Sequence, residues 1–213
     1  MENLNILQMI VRSEEMLALT PLLREGVTVS LTPGRTLRQS MTEDLGIAPD
    51  CVEQRVQTVF LDGSPVDDID ADSAEPGCTL ALAGALPGVA GIAMRRNSPV
   101  GAFRQGITHC HGEHEHASPV SGSFDVTLKL FNSVALECLG TVLERGVAVR
   151  AARLLELLED PEVLPGATFA LGTPPQNVAP LAMPPLDRPA LLAALRALPG
   201  LIRLVVLPAG ACA

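Results

Sequence analysis

The sequence predicts an α+β protein of two related units, residues 1–95 and 123–213, joined by a connector at 96–122 that carries a histidine-rich hairpin. Three observations predict it. A shift of 120 residues sets Leu23-Arg24-Glu25-Gly26-Val27-Thr28-Val29 on Leu143-Glu144-Arg145-Gly146-Val147-Ala148-Val149, and likewise Ile6 on Val126, Ile10 on Leu130, Ser13 on Ser133 and Leu19 on Leu139. Self-similarity at a fixed offset is the mark of a repeated unit. Short β-branched runs alternate with stretches of helical period, as in mixed folds. All four histidines of the chain fall within eight positions between the two halves.

The elements follow in order. Residues 4–11 are apolar with a β-branched end and predict a strand. Met16 to Leu23 contains Pro21 and is expected to be a connection, leading through Gly26 into a strand at Val27 to Leu31. Pro33-Gly34 breaks the chain, Thr36 is placed to cap, and Leu37, Met41 and Leu45 recur every four residues before Gly46. That spacing predicts one amphipathic helix, closed by Gly46 and Pro49. A strand at Val56 to Leu61 runs into the turn dipeptide Asp62-Gly63 and then Ser64-Pro65-Val66, and a fourth strand spans Thr79 to Ala83.

The stretch Val59-Phe60-Leu61-Asp62-Gly63, through Thr79-Leu80-Ala81-Leu82 to Leu86-Pro87-Gly88, resembles the β-grasp, or ubiquitin-like, fold and in particular its sulfur-carrier branch. The resemblance covers about residues 4–88 and implies a β-grasp-like unit, repeated more weakly over 124–207. Carriers of that branch act through a terminal diglycine. Here Gly88 is followed by Val89, and no Gly-Gly pair exists in the chain, so the fold is expected and the carrier chemistry is not.

In the second half, Leu155 and Leu158 share a helix face before Glu159-Asp160-Pro161, and Ala167 to Leu171 predicts a strand. Asp187 is expected to cap a helix with Pro189 in its first turn, and Leu201 to Leu207 to be the last strand.

Composition limits the partners. The formal charge of -9, the absence of Trp and Tyr and the presence of only five Phe disfavour phosphate-backbone binding and base stacking, so nucleic acid is not expected. No run of about 20 apolar residues predicts a membrane span, and no basic region before an apolar core predicts a secretory signal. Five scattered cysteines suit reduced thiols in a cytoplasm better than a disulfide framework.

The segment His109-Cys110-His111-Gly112-Glu113-His114-Glu115-His116 carries the chemistry expected of this chain. Gly112-Glu113 has the composition of a type II′ hairpin turn. In extended arms His109 and His111 share a face, His114 and His116 share a face, and the turn sets His111 opposite His114. Four imidazoles then converge on a divalent transition metal, Zn or Ni, with Zn–N near about 2.0 Å. Cys110 points to the other face and joins only if the arms twist. The competing expectations are a solvated linker and a pH-responsive contact.

Other features bear on binding. From Pro76 to Gly112 no acidic residue occurs, whereas Arg95, Arg96 and Arg104 do, so this arm is expected either to dock a protein partner or to pair within its own chain. Asp68, Asp70 and Asp72 have the alternate spacing of calcium ligands but lack the rest of that loop, and are expected to form a solvated acidic turn. Cys138 is expected to be a core thiol. No nucleotide loop, nucleophile elbow or acid–base pair is present, so the chain is expected to be a non-catalytic binding protein that holds a metal, with a protein-interaction module as the alternative.

Overall fold

The computed structural model describes residues 4–100, 104, 122–172 and 184–210. The chain folds as two compact units, one formed by Leu23–Cys138 and the other by Met1–Leu22 together with Leu139–Ala213. Both mix helix and strand. The expected boundaries at 95 and 123 run across the first of these units, because strands of each half pair into the other.

In the unit Leu23–Cys138, the strands are β2 (Val27–Leu31), β3 (Thr58–Leu61), β4 (Ser64–Val66), β5 (Thr79–Ala83) and β6 (Phe124–Phe131), in the order β4-β3-β5-β6-β2. β5 and β6 run parallel, and the remaining neighbours are antiparallel. In the other unit, β1 (Ile6–Val11), β7 (Val147–Arg150), β8 (Thr168–Gly172), β9 (Pro185–Leu186) and β10 (Leu201–Pro208) run in the order β7-β10-β1-β8-β9. Here β1 and β10 form the parallel pair. The two patterns of direction are the same, and β1 and β6, which the repeat sets in register, have each crossed into the unit of the other half.

Gly26 and Gly146, equivalent in the repeat, explain why that position is glycine twice. Each has a positive φ, +118° and +88°, just before β2 and β7. A Cβ on Gly26 would stand 2.9 Å from Thr127 Cγ2, and one on Gly146 would stand 2.8 Å from Arg203 Nε. The positive φ favours glycine at both positions, and at Gly26 the close approach of Thr127 adds to it.

Several elements form as their residues dictate. Thr36 caps α2 (Leu37–Gln39) in a reciprocal box with Gln39, and the chain continues as a π turn over Ser40–Asp44. Asp62 and Gly63 both have positive φ, 48° and 83°, the geometry of a type I′ turn joining β3 to β4. Asp187 accepts from Ala190 N and caps α7 (Arg188–Ala197).

Other elements depart from expectation. Met16–Leu19 is a 3₁₀ turn leading into α1 (Thr20–Glu25), rather than a connection; Pro21 lies in the first helical turn, where its missing N–H leaves no bond unmade. Pro49 likewise opens α3 (Pro49–Gln54) instead of only closing the preceding helix. In the arm that follows Pro76, α4 spans Gly88–Met94. α5 (Asn132–Arg145) is a fourteen-residue helix, with Val134, Ala135, Cys138, Leu139, Val142 and Leu143 all buried on one face. It occupies the place in the repeat that α1 and its leading turn hold in the first half. α6 (Ala151–Leu158) buries Leu154 and Leu158. Among the described residues, no helix is long and apolar enough to cross a membrane.

Candidate functional site

His109, Cys110, His111, His114 and His116 lie outside the described residues. Their nearest described neighbours in sequence are Arg104 and Gly122, both in the unit Leu23–Cys138. The downstream flank enters β6, where Phe124 pairs with Leu31. The upstream flank is held by the side chain of Arg104, which is 3% exposed.

Arg104 donates to Ala93 O, to Arg95 O and to the Asp67 carboxylate. One planar guanidinium therefore ties the segment after α4 to the loop after β4. Its several fixed N–H groups suit a site with several acceptors in different directions. Asp67 also accepts from Asn97 N at 3.3 Å, so the same carboxylate fixes the turn where Asn97 takes a positive φ of 54°.

Arg96 is used differently. Its guanidinium donates to Val52 O at 3.2 Å and to Val56 O at 2.9 and 3.1 Å, at the C-terminal end of α3, where carbonyls lack helical partners and a cation is favourable. Its backbone N–H donates to Gln57 O at 2.8 Å. Burial lowers the Arg96 pKa, partly offset by the charge of Glu53. Arg95 is exposed. The three arginines expected either to dock a partner or to pair within the chain thus divide, with Arg96 and Arg104 turned onto their own chain and Arg95 outward.

The acidic turn is organised by the same contacts. Asp68 accepts from Asp70 N at 2.9 Å and Ala71 N at 3.1 Å, a local side-chain turn. Arg38, from α2, makes a two-point contact with Asp70 at 2.6 and 3.0 Å and reaches Glu53 at 3.0 Å. The Arg38 guanidinium holds the Asp70 carboxyl below the usual carboxylate range, and Asp70, then Glu53, raise the Arg38 pKa in return. Asp72 is buried, with its backbone carbonyl accepting from Leu37 N at 2.8 Å. Asp68 and Asp70 stay exposed, as the acidic composition implies, while Arg38 and backbone N–H groups meet their carboxylates.

These residues enclose an open cleft of about 490 Å³, lined by Arg38, Glu53, Gln54, Gln57, Asp67, Asp68, Ile69, Asp70, Arg95, Arg96 and Asn97. Within the cleft lining, Gln57 Oε1 is buried without a hydrogen-bond partner. Arg38 is matched by Asp70 and Glu53, and Asp67 by Arg104, so the cleft is largely neutralised from within. Chemically it is a clasp between the acidic turn and the arginine segment. Arg38, Glu53 and Gln57 were not singled out from sequence; the signal there was the charge contrast between the acidic stretch at 67–75, which includes Asp67, and residues 76–112.

Among the described residues, no group of three or more His, Cys, Asp or Glu is arranged to hold a metal ion. The calcium-like spacing of Asp68, Asp70 and Asp72 therefore does not converge. No protein-family model, curated protein or solved structure matches this chain.

Proposed function

We propose that this chain is a non-catalytic binding protein that holds one divalent transition metal, Zn or Ni, through His109, His111, His114 and His116, with Cys110 as an auxiliary ligand. The observation that carries the reading is the spacing His-x-His-x-x-His-x-His about Gly112-Glu113. Two neutral imidazoles on each arm of a hairpin supply the nitrogen donors that borderline metals prefer. A fixed attachment on either side supports it: Arg104 is buried in hydrogen bonds and β6 is paired on both edges. Anchored ends reduce the chain entropy lost when the segment closes on an ion.

We further propose that each unit is a β-grasp whose first strand has been exchanged with that of the other half. The support is the parallel central pair, β5 with β6 and β1 with β10, flanked by antiparallel strands in both units. The proposed setting is the cytoplasm, where thiols stay reduced; Cys51, Cys78 and Cys138 are free.

The test compares the untagged chain with a variant carrying His111→Ala and His114→Ala, by calorimetric titration with Zn or Ni. The reading requires about one equivalent of saturable binding for the parent, and its loss in the variant with thermal unfolding of the metal-free forms unchanged. Equal binding by both would overturn it.

A further inference from the structure

We propose that Cys51 and Cys138 are a redox pair, a modification site at which a small disulfide oxidises the two thiols to an intramolecular bridge between α3 and α5. Their Sγ atoms stand 3.6 Å apart, although the residues are 87 positions apart in sequence. Nonbonded sulfurs at that separation are in contact, and closing to the roughly 2.04 Å of a disulfide needs a shift of about 1.6 Å shared between two helices. Both thiols belong to the unit Leu23–Cys138, and the pair needs no metal.

The two cysteines have unequal surroundings, which sets the order of events. Cys138 is 2% exposed on the buried face of α5. Its pKa is raised, first by burial and then by Cys51. Cys51 is half-buried on α3, with Glu137 Oε2 at 4.0 Å and the Arg55 guanidinium 3.4 Å from that carboxylate. An external reagent therefore meets Cys51 first, and Cys138 is its resolving partner.

With oxidised glutathione as the oxidant the electrons balance. The Cys51 thiolate attacks one sulfur of the small disulfide, forming a mixed disulfide; the glutathione S–S bond breaks, and one glutathione thiolate leaves and takes up a proton. Cys138 gives its proton to water and attacks Cys51 Sγ, and the second glutathione leaves as a thiolate that takes up a proton. Two protein thiols are oxidised by two electrons, and one glutathione disulfide is reduced to two thiols. The bridge closes a loop holding the acidic turn, the arginine segment and the histidines. Constraining a loop that long in the unfolded chain raises the melting temperature by about 10 °C.

The test equilibrates the full chain with glutathione buffers of graded ratio, quenches with an alkylating agent and maps the cysteines by mass spectrometry. The expected result is a Cys51–Cys138 linkage and a melting temperature higher by about that amount in the oxidised form. Cys138→Ala should trap glutathione on Cys51, and Cys51→Ser should leave Cys138 unmodified. A parent chain that remains unlinked, or that joins Cys51 to Cys78, Cys110 or Cys212 instead, would overturn the proposal. Should Cys138→Ala fail to fold, the mapping of the parent chain decides by itself.

Discussion

The two units share one pattern of strand directions, yet the arginine that gathers a loop in each does so with different partners. In Leu23–Cys138, Arg104 binds a carboxylate, Asp67, together with the carbonyls of Ala93 and Arg95. In the other unit, the partners of Arg188 among the described residues are neutral: its guanidinium donates to Leu158 O, Asp160 O, Val163 O and Leu164 O, at 2.7 to 3.2 Å, with the Phe169 ring 5.6 Å away. The same side chain thus gathers a loop by charge in one case and by carbonyl dipoles in the other. Carbonyl partners carry no net charge, whereas a carboxylate does, so the units should respond differently to truncation and salt.

Breaking the Arg104 contact should have the largest effect. Arg104→Ala leaves the carbonyls of Ala93 and Arg95 without this donor and Asp67 without its buried cation, and should cost about 3 kcal/mol in urea unfolding. Arg104→Lys should recover little, because the compact ammonium lacks the wide, planar fork that spreads the guanidinium donors over acceptors on both segments. A cost below about 0.5 kcal/mol, the usual range for a surface residue, would mean that the clasp does not hold this region. Arg188→Ala should cost less, about 2 kcal/mol, since Arg188 is itself only half-buried and its removal strands no carboxylate. Its cost should also stay constant between low and high salt, and a steep salt dependence would contradict the carbonyl account.

Arg38→Met should have the smallest effect, about 0.5 kcal/mol at low ionic strength, because the Arg38 contacts with Asp70 and Glu53 are largely exposed. Its pH dependence is more informative than its size. Arg38 depresses the folded-state pKa of Asp70, so the contribution is present above the unfolded carboxylate value and is lost as pH falls through the folded one. The stability difference between parent and Arg38→Met should be flat near neutrality and shrink from about pH 4 downward. A difference that grows on acidification would reverse the sign assigned to this pair.

Much of the fold was legible where a local rule acts alone. The Asp62-Gly63 turn, the Thr36 and Asp187 caps and the strand at Val27 to Leu31 all follow from short-range chemistry, and all are present. Gly26 and Gly146 announced the repeat, although no local pattern connects them to their neighbours Thr127 and Arg203. The crossing of β1 and β6 was not legible, because a parallel pairing between distant strands leaves the alternation of burial unchanged. α5 could have been read from its apolar spacing at Val134, Cys138, Val142 and Ala135, Leu139, Leu143. Aligning its start with the first half as a strand followed by a connection obscured that period.

The candidate sites divide in the same way. The charge contrast around residue 76 correctly marked two segments with something to pair, while Arg38 and Glu53 completed the clasp from helices that carry no such mark. The closeness of Cys51 and Cys138 is a product of packing alone. The histidine spacing is the reverse case, a local pattern in residues outside those described, from which the ligands are proposed.

That pattern is tested most directly by the metal content of the untagged chain, measured by elemental analysis after purification at neutral pH and again after dialysis below pH 6. The account predicts about one Zn or Ni per chain at neutral pH, released as the imidazoles protonate. A chain that carries no metal even after incubation with Zn and Ni, or one whose metal survives the acid step undiminished, would contradict it.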